Sequence, residues 1–263
     1  MSNIHLKTPD EVAAMRETGR IVARTLQAMR EAVRPGISTG ELDKIAETVI
    51  RDHGATPAFL NYPKHNAPPY PASINASIND ELVHGIPSFK RLVKEGDIIS
   101  LDTACHYGGF VADAAFTMGV GEIKPALRRL IDVTEKALYI GIEASVLGNT
   151  IKDVALSIYH YVERQGYSVA RDYTGHGVGR AMHEEPSVPN WWPRPSRRRR
   201  QFDNYQLQVG MTYAIEPMVI TGRPDTEELE DYWTVRTVDR SMCAHFEHTI
   251  AVTDGKPIIL TLP

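Results

Sequence analysis

Two stretches of equal length carry one design: GISTGELDKIAETVIRDHG at residues 36–54 and GNTIKDVALSIYHYVERQG at residues 148–166. Each opens on a glycine and places a hydroxyl two positions on. A carboxylate follows three residues later, Ser38 with Glu41 and Thr150 with Asp153. That spacing is a helix-starting capping box, in which the hydroxyl accepts a backbone N–H and the carboxylate reaches back to the cap. Each stretch ends on a glycine, Gly54 or Gly166, where a helix stops. Leu42 corresponds to Val154, and every matched position lies 112 residues downstream of its partner.

The match extends outward on both sides. A helix is expected before each copy, over 9–33 and 125–145. Thr8-Pro9-Asp10-Glu11 announces the first, with Thr8 as N-cap, Pro9 at N1 and Glu11 at N3. Val12, Met15, Ile21, Val22, Leu26 and Met29 give it an apolar face. After each copy comes a glycine, five strand-like residues and a carboxylate: Gly96 to Asp102, and Gly210 to Glu216, 114 residues apart. Two blocks with nearly one offset read as an internal duplication rather than a chance recurrence of caps. The expected fold is α+β. Two helix-helix-strand-strand halves, about 9–120 and 121–263, are related by a pseudo-twofold around a central antiparallel sheet, in a single domain spanning 1–263. Proline-rich segments at 62–71 and 191–200 are read as loops, because paired blocks flank both.

The composition is that of an ordinary globular chain: 263 residues, 42% hydrophobic and 24% charged. A net charge of −4 argues against a generally basic nucleic-acid surface. Cys105 and Cys243 are far apart and are read as free thiols in a reducing compartment. The N-terminal MSNIHLKTPDEV has no apolar core of the signal-peptide kind, and no 18-residue apolar run occurs. The expectation is a soluble cytoplasmic protein with no membrane partner.

Against this background SLDTACHYGGFVADAAF, residues 100–116, is odd, because Asp102 and Asp113 interrupt apolar strand. His106-Tyr107-Gly108-Gly109 reads as the turn of a hairpin. A two-residue loop at Tyr107-Gly108 sets the aspartates directly opposite each other. A loop at Gly108-Gly109 sets them diagonally on the same face, and a three-residue loop puts them on opposite faces. Two close carboxylates beside an apolar sheet either share a proton or hold a cation. The alternative is a pair of solvated strand residues. Three further groups stand in similar contexts: His176 among glycines in TGHGVG, Glu216 at a strand end, and Glu247 inside a strand-like run. Each alone reads as a core polar residue. Together, four carboxylates and one imidazole suit divalent Mn, Fe, Co or Zn. Their charge is enough for two ions sharing bridging carboxylates.

The ordered segments ISTGELD, NDELVHGIP, LDTACHYGGFVADAAF, GHGVGRAMHEEP, MTYAIEPM, DYWTVRT and FEHTI span most of the chain. In these the chain resembles the type I methionine aminopeptidases of the pita-bread fold. The short connection between His176 and Glu216 resembles type I rather than type II. The resemblance implies a monomeric dinuclear-metal aminopeptidase that removes the initiator methionine from nascent proteins with a small second residue. It implies that Asp102 chelates one metal, that Asp113 and Glu247 bridge both, and that His176 and Glu216 complete the second. His84 and His183 match the substrate-side histidines, and Glu216 the proton shuttle. Phe59, Tyr62, Tyr70, Met182 and Trp233 are the implied lining of the methionine pocket. Asn75 and Met182 depart from the family, which commonly has cysteine and phenylalanine there, and the 63–71 loop is longer. Asn79, Glu81 and Cys243 match a segment where relatives bind a monovalent cation. The Arg197–Arg200 run reads as a solvated loop or as a dock for ribosomal RNA. A Xaa-Pro aminopeptidase-like exopeptidase, a noncatalytic pita-bread binding protein and a dinuclear phosphoesterase are the competing readings. Relatives of the first usually carry an extra N-terminal domain, and only a few residues precede the first helix here.

Overall fold

Both capping boxes form. Ser38 Oγ accepts the Glu41 N–H at 3.1 Å, while Glu41 takes the Ser38 N–H at 2.9 Å. Thr150 and Asp153 repeat the exchange at 3.3 and 2.8 Å. The helices they start run Thr39–Asp52 and Ile151–Arg164. Gly54 and Gly166 follow with φ of +72° and +82°, the left-handed conformation that closes a helix without a Cβ penalty. The helices before them span Pro9–Ala32, started by the Thr8 box, and Pro125–Glu143. The second of these has no side-chain cap and begins on Pro125, whose fixed φ and missing N–H suit a first helical position. The computed structural model describes residues 4–193 and 202–263. The Arg197–Arg200 run therefore lies outside the described residues.

The duplication continues into the sheet. Isolated bridges join Ser38 to Leu92 and Thr150 to Gln206, the same contact in each half. A nine-stranded sheet then places the two halves back to back. Strand Ile98–Tyr107 pairs with Phe110–Gly119, which pairs across the centre with Glu247–Ala251, which pairs with Thr212–Ile215. All these pairings are antiparallel. The order is symmetric about the central pair, as a pseudo-twofold requires. Outside it, Asn75–Ile78 flanks the first half and Gly175–Gly177 the second. The first helix packs on Ile98–Tyr107 and Phe110–Gly119, and the Pro125–Glu143 helix packs on strands of the second half. Leu42, Ile50, Ile158 and Val162 are fully buried in one core with Leu101 and Ile215. Each such side chain contributes about 1.5–3 kcal/mol by leaving water. Among the described residues no helix is long and apolar enough to cross a membrane.

The central hairpin turns at Gly108-Gly109, with φ of +57° and +82° and Tyr107 paired to Phe110. Positive φ at both central positions matches the right-handed twist of the strands, and two glycines adopt it freely. Of the alternatives for this hairpin, the loop at Gly108-Gly109 is the one formed. Asp102 stands opposite Ala115 and Asp113 opposite Ala104, so the aspartates are diagonal neighbours on one face.

Candidate metal centre

Strand register explains how distant residues meet. Asn75 pairs with Asp102, Asp102 with Ala115, and Ala115 with Glu247. His248 pairs with Ile215, so the next step along that ladder brings Glu216 opposite Glu247. One row across five chain segments thus reads Asn75, Asp102, Ala115, Glu247, Glu216. Alanine in the middle leaves open space between acids. Asp113 is two residues from Ala115 and so on the same face. His176 is one residue from the Gly177–Tyr213 pair, which sets it beside Ala214, two residues from Glu216. Donor atoms of Asp113, His176 and Glu247 all lie within 4.8 Å of one another. His176 Nε2 is 3.9 Å from Asp113 Oδ2 and 3.6 Å from Glu216 Oε1.

These groups are buried and mostly without partners. Asp102 Oδ1, Asp113 Oδ1 and Glu247 Oε1 accept no hydrogen bond. Burial raises Asp102 to about 7, against the Asn75 hydrogen bond, which lowers it. Burial, then the charges of Asp102 and Glu216, hold Asp113 well above the usual carboxylate range. Burial and the neighbouring acids do the same to Glu247, and burial with Asp102 to Glu216. The His176 imidazole is pushed down to about 3 by burial and is neutral, the form that ligates. Orphaned buried oxygens and a neutral imidazole at these separations fit a divalent cation.

A pocket of about 200 Å³ opens onto this face. Phe59, Tyr62, Tyr70, His84, Met182, His183 and Trp233 line it with Asn75 and the five groups above. Every expected metal-ligand, substrate-side and methionine-pocket residue is therefore brought to one cavity; Asn79, Glu81 and Cys243 are not among its lining. Tyr70 is buried, with its hydroxyl donating to Ile74 O at 2.9 Å and Gly85 O at 3.1 Å. Its ring meets Trp233 edge-on at 5.0 Å and Phe59 at 6.4 Å. Trp233 Nε1 donates to Pro68 O at 3.0 Å, tying the 63–71 loop to the pocket wall. Tyr62 O–H lies 2.6 Å from His183 Nδ1. Burial raises the Tyr62 phenol and lowers the His183 imidazole, so both are neutral; a Tyr62 O–H donated to Nδ1 leaves the His183 proton on Nε2. His84 follows strand Glu81–Val83 at φ +59°, a costly conformation for a side chain of this size. A Cβ on the next residue, Gly85, would lie 2.4 Å from Ala76 O, so only glycine lets this turn lie against its neighbouring strand. Burial lowers His84 to about 4.

The structure also shows what sequence reasoning passed over. Asn75 Nδ2 donates to Asp102 Oδ2 at 2.7 Å, which gives that unusual residue a partner in the centre. Val83, Tyr173, Thr174 and Met218 complete the lining. His245, which is not among the pocket-lining residues, comes within 3.9 Å of both Glu216 and Glu247. Its place two residues before Glu247 was the available signal. Asn79 and Cys243 do come together, but the Asn79 carbonyl already accepts the Cys243 N–H at 3.0 Å and its thiol at 3.3 Å.

A duplicated half-and-half sheet with a buried acid and imidazole cluster under an aromatic cleft is a candidate metal centre open to a ligand. Residues 13–254 match the model of metallopeptidase family M24, and the chain belongs to that family, in its type I methionine aminopeptidase branch. It is 46% identical over 255 residues to methionine aminopeptidase 1 of Bacillus subtilis, covering 97% of this chain and 98% of that protein. It is 44% identical over 259 residues to a methionine aminopeptidase of Clostridium acetobutylicum, covering 98% and 99%. A methionine aminopeptidase structure from Thermotoga maritima superposes with a TM-score of 0.92 at 38% identity, covering 99% of this chain and all of that one.

Proposed function

We propose that the chain is a methionine aminopeptidase that removes the N-terminal methionine of proteins with a small second residue. The observation that carries this reading is the convergence of Asp102, Asp113, His176, Glu216 and Glu247, from both halves, at the floor of an aromatic pocket. Asp113 and Glu247, nearest the pseudo-twofold, would bridge two divalent ions. Asp102 would complete the position on its side, and His176 with Glu216 the other. Such ions supply Lewis acidity, polarising the scissile carbonyl and acidifying water near neutral pH. The chain's own groups do the rest. Neutral His183, its Nδ1 occupied by Tyr62, offers Nε2–H to the carbonyl oxygen as negative charge develops there. Glu216 faces the pocket with its Oε1 3.6 Å from His176 Nε2, which places it to pass a proton to the leaving nitrogen. His84, neutral in the same cavity, is placed to contact the scissile amide. The methionine side chain fits among Phe59, Tyr70, Trp233, Tyr62 and Met182, apolar and polarisable surfaces suited to a thioether.

A core joining both helix pairs supports reading the chain as one domain with halves about 9–120 and 121–263. We read it as a cytoplasmic monomer acting on emerging chains, with Arg197–Arg200 as an electrostatic dock for the ribosome. That last part rests on sequence alone. The test is release of methionine from Met-Ala-Ser, compared with Met-Pro and Ala-Ala peptides, with and without chelator. Chelator-sensitive cleavage of Met-Ala-Ser alone is expected. Preference for the proline peptide would favour the Xaa-Pro reading, and no cleavage of any would favour a binding protein.

A further inference from the structure

We propose that His245 is a positioning residue, a donor behind Glu216 and Glu247 that fixes which oxygen each presents to a metal ion. This rests on the metal-centre reading above. His245 ends the strand Cys243–His245, and Phe246 separates it from the strand that begins at Glu247. Its backbone is pinned to one hydroxyl: the His245 N–H donates to Thr117 Oγ1 at 2.9 Å, and that hydroxyl donates to the His245 carbonyl at 2.7 Å. The side chain is 2% exposed. Its Nε2 lies 3.8 Å from Glu216 Oε2 and 3.9 Å from Glu247 Oε2 and has no hydrogen-bond partner.

An orphaned ring nitrogen in the interior costs free energy that a structural residue would avoid. The geometry shows what it waits for. His176 approaches Glu216 through Oε1 and His245 approaches it through Oε2, so two imidazoles divide the two oxygens of one carboxylate. Glu247 likewise turns Oε2 to His245, while its Oε1 is unpartnered. A carboxylate that gives one oxygen to an ion leaves the other for an outer donor, and such donors orient ligands and tune affinity. From 3.8 Å, a shift of about 1 Å brings an imidazole N–H into hydrogen-bond range of either oxygen. A proton on Nε2 makes His245 a donor; a bare Nε2 would make it a further ligand.

The experiment is calorimetric titration of metal-free protein with Co²⁺, repeated for H245A and H245Q. Thermal unfolding of the metal-free proteins confirms that each variant folds. H245A is expected to lose about ten- to hundredfold in affinity, and H245Q, which keeps an N–H donor, to stay within about threefold of the parent. Proton NMR of the Co²⁺ form is expected to show one strongly shifted exchangeable imidazole signal, from His176, present in parent and H245A alike. Equal affinity of H245A overturns the positioning role. Failure of H245Q to restore affinity, or loss of a second shifted imidazole signal in H245A, overturns the donor and makes His245 a ligand. Absence of Co²⁺ binding by the parent itself overturns the metal-centre reading on which both depend.

Discussion

Raising the pH from 6 to 8 should tighten divalent-metal binding at least tenfold. The reason lies in the protons the centre keeps when no cation is present. Burial raises Asp102 to about 7, so it is mostly protonated at pH 6 and mostly ionised at pH 8. Binding must displace that proton. One such group makes the apparent affinity about tenfold greater at pH 8 than at pH 6, or about 1.4 kcal/mol. Asp113, Glu216 and Glu247 are also held well above the usual carboxylate range, first by burial and then by the charges of neighbouring acids, Asp102 among them. Each that keeps its proton across this window adds up to about a hundredfold more. The sign follows from the direction of the shifts: raised acids retain protons, protons compete with the cation, and affinity falls as pH falls. His176, at about 3, is neutral throughout and contributes nothing to the slope. Calorimetry with Mn²⁺ at pH 6, 7 and 8, in buffers of different ionisation enthalpy, yields both the affinity and the protons released. A flat affinity, or release of no protons at pH 6, would refute the argument, because the carboxylates would then be ionised before the cation arrives.

Two further substitutions follow from the structure, and a third from the sequence. Asn75→Ala removes the 2.7 Å hydrogen bond to Asp102, and a lost bond to a charged group is worth about 1.5–3 kcal/mol. Metal affinity should therefore fall by about tenfold or more, and unchanged calorimetric affinity would show that Asp102 is oriented without it. Met182→Phe, on the half-buried pocket rim, should keep methionine release and narrow tolerance for bulkier first residues in a peptide panel. Replacing Arg197 to Arg200 with serine should weaken ribosome co-sedimentation at low salt and leave tripeptide turnover within about twofold, a barrier change under ~0.5 kcal/mol.

Sequence legibility tracked the range of the interaction. The capping boxes at Thr8, Ser38 and Thr150 are complete within four residues, and the stops at Gly54 and Gly166 need only their own backbone, so these three helices could be read directly. The row of acids was legible in part, because strand alternation puts Asp102 and Asp113 on one face for either two-residue loop. The choice between those loops depended on which dipeptide accepts positive φ twice, and Gly108-Gly109 does so at least cost. Other contacts needed the assembled sheet. Tyr62 meets His183 across 121 residues, and Asn75 reaches Asp102 only because their strands pair in that register. His245 stood in a strand-like run beside a candidate ligand. Its relation to Glu216 arises because residues after Thr212–Ile215 bend back, Met218 pairing with His245.

In the proposed centre, five side chains from two halves hold divalent ions at the floor of the methionine pocket. A metal-edge anomalous difference map from crystals grown with Mn²⁺ tests it most directly. Two peaks about 3.5–4 Å apart are predicted, with Asp113 and Glu247 contacting both, Asp102 one, and His176 and Glu216 the other. A map without a peak there, or with its strongest peak outside this set of residues, would contradict the claim.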